Sequence, residues 1–266
     1  MKIKIILFII FIMFLCIPAQ SQLVEEFNQE DNSCCLPILA QRLVNQLVDW
    51  NQLSRYQIEN QELKSQPYNP KRVVFMGDSI TDFWKLAEYF PGKPYVSRGI
   101  SGQTTPQMLV RMYPDVIVHK PAAMVVLAGI NDVSQNTGPS TAEMIEQNIM
   151  AMTDIAKHND IKVILCSVLP INDYAFIKMK AGAKLPSYIK EPVTATHPPE
   201  DVLKLNDWMK SYAKKVDAIY VDYFNAMVDD KGFLRENLSE DGIHPNAEGY
   251  EIMTKIVGEA IDKALQ

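Results

Sequence analysis

The chain alternates between short, wholly apolar runs and longer segments in which apolar residues recur every three or four positions. The first pattern is typical of strands buried on both faces, and the second is typical of amphipathic helices. The apolar runs predict strands at residues 73–76, 95–97, 124–128, 163–168 and 218–221. The periodic segments predict helices at about residues 36–64, 105–113, 141–158, 200–215 and 246–264.

Strands that alternate with helices indicate a parallel sheet covered on both faces, because each parallel connection must cross back over the sheet. With right-handed crossovers, the pattern predicts an α/β fold, a three-layer α/β/α sandwich with a mostly parallel sheet. We assign this catalytic domain to residues 71–266. Residues 22–70 are interpreted as an N-terminal helical extension that packs on it, and Pro67 and Pro70 separate the two.

The first residues have the outline of a secretory signal peptide, which we place at residues 1–21. Lys2 and Lys4 precede an apolar run at residues 5–17, and small residues follow where a signal peptidase cuts. The run is shorter than the roughly 20 residues that span a bilayer. A lipoprotein acylated at Cys16 is disfavoured, since bulky residues precede that cysteine. We therefore expect an exported protein, periplasmic or extracellular.

Charge and cysteine content narrow the range of partners. The formal net charge is −6, and removal of the signal peptide would take two lysines and no acid with it. This balance argues against nucleic acid as a partner. No second long apolar run follows, so we expect no stable membrane insertion after cleavage. Cys34, Cys35 and Cys166 form no disulfide framework, and Cys166 is predicted to be a core residue.

Polar and glycine residues follow nearly every predicted strand. The sequences GDSITD, SRGISGQTT and AGINDVS come after strands, and SEDGIHPNAEGY precedes the last helix. In an open α/β sheet these positions converge on one crevice beyond the carboxyl ends of the strands. A serine hydroxyl such as that of Ser79 is a weak nucleophile, so it needs a base, a group that orients the base, and donors to the developing oxyanion.

The individual residues have two interpretations each. Asp241 lies three residues before His244, close enough to orient an imidazole base, although both are equally compatible with capping or turn roles. Asn131 is either a turn former or an amide donor to an oxyanion. Gly102 is either a turn glycine or one that lets a backbone N–H approach a ligand. Asp78 and its neighbour Asp82 are compatible with helix caps.

Together the blocks are more specific than any one of them. GDSITD, GISGQT, GIND and DGIHP resemble, in order and approximate spacing, the SGNH hydrolases, also called the GDSL esterase/lipase family. The resemblance spans residues 72 to about 262 and implies the flavodoxin-like sandwich of that family. Thr81 stands where the G-x-S-x-G elbow of the α/β-hydrolases has its second glycine, which disfavours that fold.

The resemblance implies a role for each matching residue. Ser79 would be the nucleophile, and Asp241 and His244 would complete the catalytic triad. The oxyanion hole would consist of the backbone N–H groups of Ser79 and Gly102 and the side-chain amide of Asn131. No metal and no organic cofactor is required by this chemistry.

The expected function is that of a secreted serine esterase acting on short acyl groups, O-acetyl above all, of carbohydrates or small molecules. Candidate substrate-binding residues are Asp78 and three aromatic residues of the long segment 172–199, namely Tyr174, Phe176 and Tyr188. That segment follows the fourth strand, lacks a continuous helix or strand pattern, and is rich in lysine. A lipase, lysophospholipase or thioesterase of the same family remains the alternative.

Two further hypotheses belong to other classes. A metal-dependent phosphoesterase would gather strand-end carboxylates, for which the chain offers Asp78, Asp82, Asp132 and Asp241. A carbohydrate-binding protein would use an esterase scaffold without catalysis. The sequence leaves the oligomeric state open.

Overall fold

The computed structural model describes residues 47–183 and 191–266. Its strands are β1 Val73–Gly77, β2 Tyr95–Gly99, β3 Ala123–Leu127, β4 Lys162–Cys166 and β5 Ile219–Val221. They form one sheet in the order β2-β1-β3-β4-β5, and every neighbouring pair is parallel. The predicted fold class is confirmed, and each strand lies within two residues of its expected position.

Helices cover both faces of this sheet. They are α1 Gln57–Ser65, α2 Ser79–Asp82, α3 Leu86–Tyr89, α4 Thr105–Asp115, α5 Ile130–Val133, α6 Ala142–His158, α7 Tyr174–Lys180, α8 Val193–Thr196, α9 Pro199–Lys215, α10 Tyr223–Met227 and α11 Ala247–Ala264. The four long helices α4, α6, α9 and α11 match the predicted ones closely. The short helices after the strands have too few residues to show a periodic pattern.

The predicted helix at 36–64 is interrupted in its described part, where only residues 47–48 and 57–64 are helical. Helix α1 begins only at Gln57, and turns precede it. The Asp49 carboxylate accepts hydrogen bonds from the backbone N–H groups of Leu53 (2.8 Å) and Ser54 (3.0 Å). Gln52 has a left-handed backbone (φ 55°). A side chain that captures backbone donors competes with the helix, which periodicity alone does not reveal.

Two apolar cores lie on opposite faces of the sheet, because successive side chains of a strand point in opposite directions. In β1, Val74 and Met76 join the core formed with α4, α6 and α9. Val73 and Phe75 join the other core, which α11 and the residues after β1 complete. The sheet is therefore buried on both sides, and the open crevice lies at the ends of the strands.

The segment before β1 packs on the catalytic domain through a buried polar network. Asn60 donates to the Asp115 carboxylate (2.6 Å) and accepts from the guanidinium of Arg98 (2.7 Å). Arg111 is wholly buried and pairs with Asp115 at 2.6 Å. Burying these charges is tolerable because each has a partner. Residues 49–266 thus form one compact unit.

The predicted signal peptide at residues 1–21 and the cysteines Cys34 and Cys35 lie outside the described residues. Cys166 is a free thiol with no solvent-exposed surface, which confirms it as a core residue. None of the helices described is both long and apolar enough to cross a membrane.

Candidate active site

The strand order places three loops beside one another. Gly77, at the end of β1, pairs with Gly99 of β2 and with Leu127 of β3. The chain continues from β1 to β2 on one side and from β3 to β4 on the other, so a crevice opens between the carboxyl ends of β1 and β3. Ser79 follows β1 directly, and Gly102 and Asn131 follow β2 and β3.

Ser79, His244 and Asp241 form a hydrogen-bonded series across this crevice. The Ser79 hydroxyl lies 2.9 Å from Nε2 of His244, and Nδ1 of His244 lies 2.7 Å from the Asp241 carboxylate. The spacing of three residues therefore brings the carboxylate to the imidazole as predicted. An N–H at Nδ1 leaves the Nε2 lone pair for the serine proton.

The loop that holds Asp241 and His244 is fixed from several directions. Burial raises the pKa of Asp241, but hydrogen bonds from the His244 side chain and backbone outweigh it and lower the pKa to about 2. Asp241 is therefore ionised at neutral pH. Gly242 has φ +91° and its carbonyl accepts from the Asn172 N–H at 2.9 Å, so the segment after β4 is tied to this loop.

The side-chain amide of Asn136 joins Gly102 and Asn131, because it donates hydrogen bonds to both. The Asn136 amide donates to Oδ1 of Asn131 (2.8 Å) and to the Gly102 carbonyl (3.4 Å). Nδ2 of Asn131 donates to the Gln103 carbonyl at 3.0 Å. Its second N–H has no acceptor among the described residues, so it is available to a bound oxyanion. Gly102 adopts φ +78°, which a residue with a side chain rarely tolerates.

Two aspartates fix the loops around these donors. The Asp82 carboxylate accepts from the backbone N–H and the hydroxyl of Ser101, at 3.2 and 2.7 Å. It thereby joins the helix of Ser79 to the loop of Gly102. Asp132 accepts from the N–H and hydroxyl of Thr105 (2.9 and 2.6 Å), and burial raises its pKa to about 6. Both carboxylates thus hold loops at the edge of the crevice in place.

Comparison with known proteins agrees with this geometry. Residues 75–252, more than half of the chain, match the model of the GDSL-like Lipase/Acylhydrolase family. The chain belongs to this family. A search of curated protein sequences finds none that matches this chain.

Solved structures extend the comparison. A GDSL-like lipase from Bacteroides thetaiotaomicron is 38% identical, with a TM-score of 0.69, over 80% of this chain and 98% of that one. A protein from Bacteroides fragilis assigned as an acylhydrolase is 37% identical, with a TM-score of 0.71, over 82% and 99%. An acetylxylan esterase from Geobacillus stearothermophilus shares the fold at 19% identity, with a TM-score of 0.54, over 73% and 96%.

Membership in the family makes the protein a carboxylic ester hydrolase. The hypothesis of a binding protein without catalysis loses its basis. Each of the four aspartates proposed for a phosphoesterase accepts hydrogen bonds from neighbouring protein groups. Within residues 47–183 and 191–266, no three His, Cys, Asp or Glu side chains are grouped to hold a metal ion.

Asp78 does not have the predicted role. Its side chain is fully buried and accepts from the Ile80 N–H at 3.0 Å, so it caps α2 beneath the acylhydrolase's crevice. A side chain without exposed surface has no contact with substrate. Its second carboxylate oxygen has no partner among the described residues, and burial raises the pKa of Asp78 to about 7.

Of the three aromatic residues predicted for substrate binding, two lie in the described part of the chain. Tyr174 and Phe176 lie on α7, a helix that the sequence pattern did not show, and both are half-buried. The Tyr174 hydroxyl donates to Asp229 at 2.8 Å, and the Lys180 ammonium lies 5.2 Å from the Phe176 ring. Tyr188 lies outside the described residues.

Sequence reasoning missed Phe83, which lies beside the His244 imidazole, and His197, which is within electrostatic range of it. The Phe83 ring lies 5.3 Å from the His244 ring and is 53% exposed. Its position four residues after Ser79 was the available signal, since such residues share a helix face. Burial lowers the pKa of His197, and the charge of His244 acts in the same direction, so the two imidazoles lie within electrostatic range.

Proposed function

We propose that this ester hydrolase removes short acyl groups, acetyl above all, from carbohydrates through a Ser79–His244–Asp241 triad. The observation that carries the proposal is the continuous series of two short hydrogen bonds from the Ser79 hydroxyl to Asp241. The free amide N–H of Asn131 beside the left-handed Gly102 adds the oxyanion donors that acyl transfer needs.

The chemistry follows from this arrangement. His244 takes the Ser79 proton at Nε2 while the hydroxyl oxygen attacks the ester carbonyl. The tetrahedral oxyanion accepts hydrogen bonds from Asn131 and from the backbone N–H groups of Ser79 and Gly102. His244 then protonates the leaving alcohol, and an acyl-enzyme remains. Water, deprotonated by the same imidazole, releases the acid and restores Ser79.

The ionised Asp241 supports both proton transfers. Its carboxylate accepts from Nδ1 and stabilises the imidazolium that forms when Nε2 is protonated. Because its pKa is about 2, the carboxylate keeps its charge across the working range of pH. None of these steps uses a metal or an organic cofactor.

The substrate class rests on separate observations. Export, as the signal-peptide pattern predicts, would bring the enzyme to glycans outside the cytoplasm. The predicted substrate segment is rich in lysine and lacks the broad apolar pattern of an interfacial lipase lid. Among proteins with this fold, one is an acetylxylan esterase, whose substrate is an acetylated glycan. We extend that class of substrate to this chain as part of the proposal.

The test is hydrolysis of p-nitrophenyl acetate, butyrate and octanoate by wild type and Ser79→Ala, with and without a chelator. We expect activity that favours acetate, survives the chelator and disappears in the variant, because the alanine removes the attacking oxygen. Far-ultraviolet circular dichroism checks that the variant is folded. A maximum at octanoate would instead support a lipase or thioesterase.

The matched control is Ser211→Ala, which changes an exposed serine on α9 away from the strand ends. This variant should hydrolyse all three esters like wild type. Absence of any Ser79-dependent ester hydrolysis would refute the triad.

A further inference from the structure

Phe83 is an exposed aromatic side chain beside the His244 imidazole of the candidate active site. Its backbone N–H donates to the Ser79 carbonyl at 2.9 Å, so it lies one helical turn beyond the nucleophile. Its ring lies 5.3 Å from the His244 imidazole at an angle of 51°. The next residue, Trp84, is buried in the core, whereas Phe83 is 53% exposed. An apolar ring at this position is available to a ligand.

The mechanism defines which part of a substrate lies there. The carbonyl oxygen of the ester points to the donors Gly102 and Asn131, which follow β2 and β3. The leaving oxygen must approach Nε2 of His244, because that atom supplies its proton. Phe83 contacts the same imidazole. The alcohol portion of the ester therefore lies next to Phe83.

The surroundings of the ring indicate the chemistry of that alcohol. Asp82 precedes it, bonded to Ser101 and 4.0 Å from the guanidinium of Arg55. Lys85 follows it with a largely exposed side chain. An exposed aromatic face with charged residues nearby in the chain suits a ligand with an apolar face and a polar rim. A sugar ring has this form: its C–H groups meet the electron-rich face of the ring, and its hydroxyls remain at the edge.

We propose that Phe83 is a specificity-determining residue that stacks on the sugar ring of the leaving alcohol. The inference rests on the proposed function, since it assigns the sugar to one side of the same site. It also separates two parts of the substrate. Phe83 recognises the alcohol, and the acyl group occupies a different part of the crevice.

The experiment compares esters that share the acetyl group and differ in the alcohol. Acetate release is measured from mono-O-acetyl methyl β-xyloside, ethyl acetate and octyl acetate with wild type, Phe83→Ala and Phe83→Trp. For Phe83→Ala we expect kcat/KM on the sugar acetate to fall about five- to tenfold, mainly through KM, because a stacking contact is lost. Ethyl acetate, which has no ring to stack, should change less than about twofold, and Phe83→Trp should retain activity on the sugar acetate.

Tyr113→Ala is the matched control, since Tyr113 is an aromatic residue on α4 that is 64% exposed and outside the crevice. It should leave all three substrates unchanged. Thermal unfolding checks that Phe83→Ala is folded, as expected for a side chain that adds little to either core.

Three results would overturn the inference. An equal loss of kcat on every ester, with an altered pH profile, would mean that Phe83 acts only by orienting His244. A larger loss on octyl acetate than on the sugar acetate would assign the ring to an apolar alcohol. No change on any ester would remove Phe83 from substrate binding. In each case Ser79-dependent hydrolysis by wild type persists, so these failures differ from failure of the proposed function.

Discussion

At the scale of single residues, the proposed oxyanion hole depends on the side-chain amide of Asn131. Its amide is held by Gln103 and Asn136, so its free N–H has a defined direction before substrate arrives. Donors fixed in this way stabilise the transition state more than the ground state, because the negative charge develops only during the reaction.

Replacement of this side chain should therefore lower kcat more than it raises KM. For Asn131→Ala we expect kcat to fall roughly 10²- to 10³-fold. Steady-state kinetics on p-nitrophenyl acetate measures both constants, and Asn159→Ala, an exposed asparagine after α6, is the control. An effect confined to KM would contradict the oxyanion role.

Asp78 makes stability depend on pH. Burial raises its pKa in the folded protein to about 7, above the unfolded value of 3.8. Between these values the folded state binds one more proton than the unfolded state, so stability falls as the pH rises. Asp78→Asn keeps an acceptor for the Ile80 N–H and has no charge to bury.

The variant should therefore gain stability relative to wild type as the pH increases. Between pH 5 and pH 8 we expect this difference in the free energy of unfolding to grow by about 2–3 kcal/mol. Denaturant unfolding at both pH values measures it, with the exposed Asp207→Asn as control. A difference that does not depend on pH would mean that Asp78 is ionised without cost in the folded protein.

At the scale of elements, the turn and helix before β1 hold the loop that carries Gly102. Backbone carbonyls of Trp50 and Asn51 accept from the amides of Gln107 and Gln103. The Tyr56 hydroxyl donates to the Gly99 carbonyl at the end of β2. A segment that precedes the catalytic domain in sequence thus supports the loop that carries Gly102.

Removing the hydrogen bond from Tyr56 to Gly99 tests whether this segment supports the loop of Gly102. Tyr56→Phe leaves the buried Gly99 carbonyl without its donor, and we expect the free energy of unfolding to fall by about 1–2 kcal/mol. We also expect kcat to fall more than KM rises, since the loop behind Gly102 gains freedom. Tyr113→Phe, which removes an exposed hydroxyl from α4, should change neither. Loss of stability with unaltered kcat would limit the segment to a structural role.

At the scale of the whole molecule, the sheet has a core on each face, and Cys166 at the end of β4 is fully buried in one of them. Burial raises the pKa of its thiol to about 12. A thiol that is neither accessible nor ionised does not react with disulfide reagents. Exposure of Cys166 therefore requires that the sheet separate from its helices.

Thiol labelling of Cys166 should report global unfolding. A variant with Cys16→Ser, Cys34→Ser and Cys35→Ser carries Cys166 as its one thiol. In native buffer, labelling by a chromogenic disulfide reagent should be slower than in guanidinium by a factor that follows the unfolding equilibrium. Fast labelling in native buffer would show that the α11 face opens locally.

The sequence by itself determined the strands and the long helices, and it allowed the pairing of Asp241 with His244 that the structure shows. Each depends on local regularities: apolar runs, helical periodicity and a short loop spacing, which neighbours in the chain express directly. The order of the blocks resembles the GDSL family, and that resemblance implied the roles of Ser79, Gly102 and Asn131.

Only the tertiary structure decided the rest. Asp78 and Asp82 look alike in the sequence, yet one is buried beneath the crevice and the other holds Ser101. Phe83 and Trp84 are adjacent, yet one faces the catalytic imidazole and the other the core. The start of α1 and the turns before it depend on Asp49 and on a buried network that joins residues far apart in the chain. Such differences arise because burial and long-range partners are properties of the packed molecule, and no local pattern encodes them.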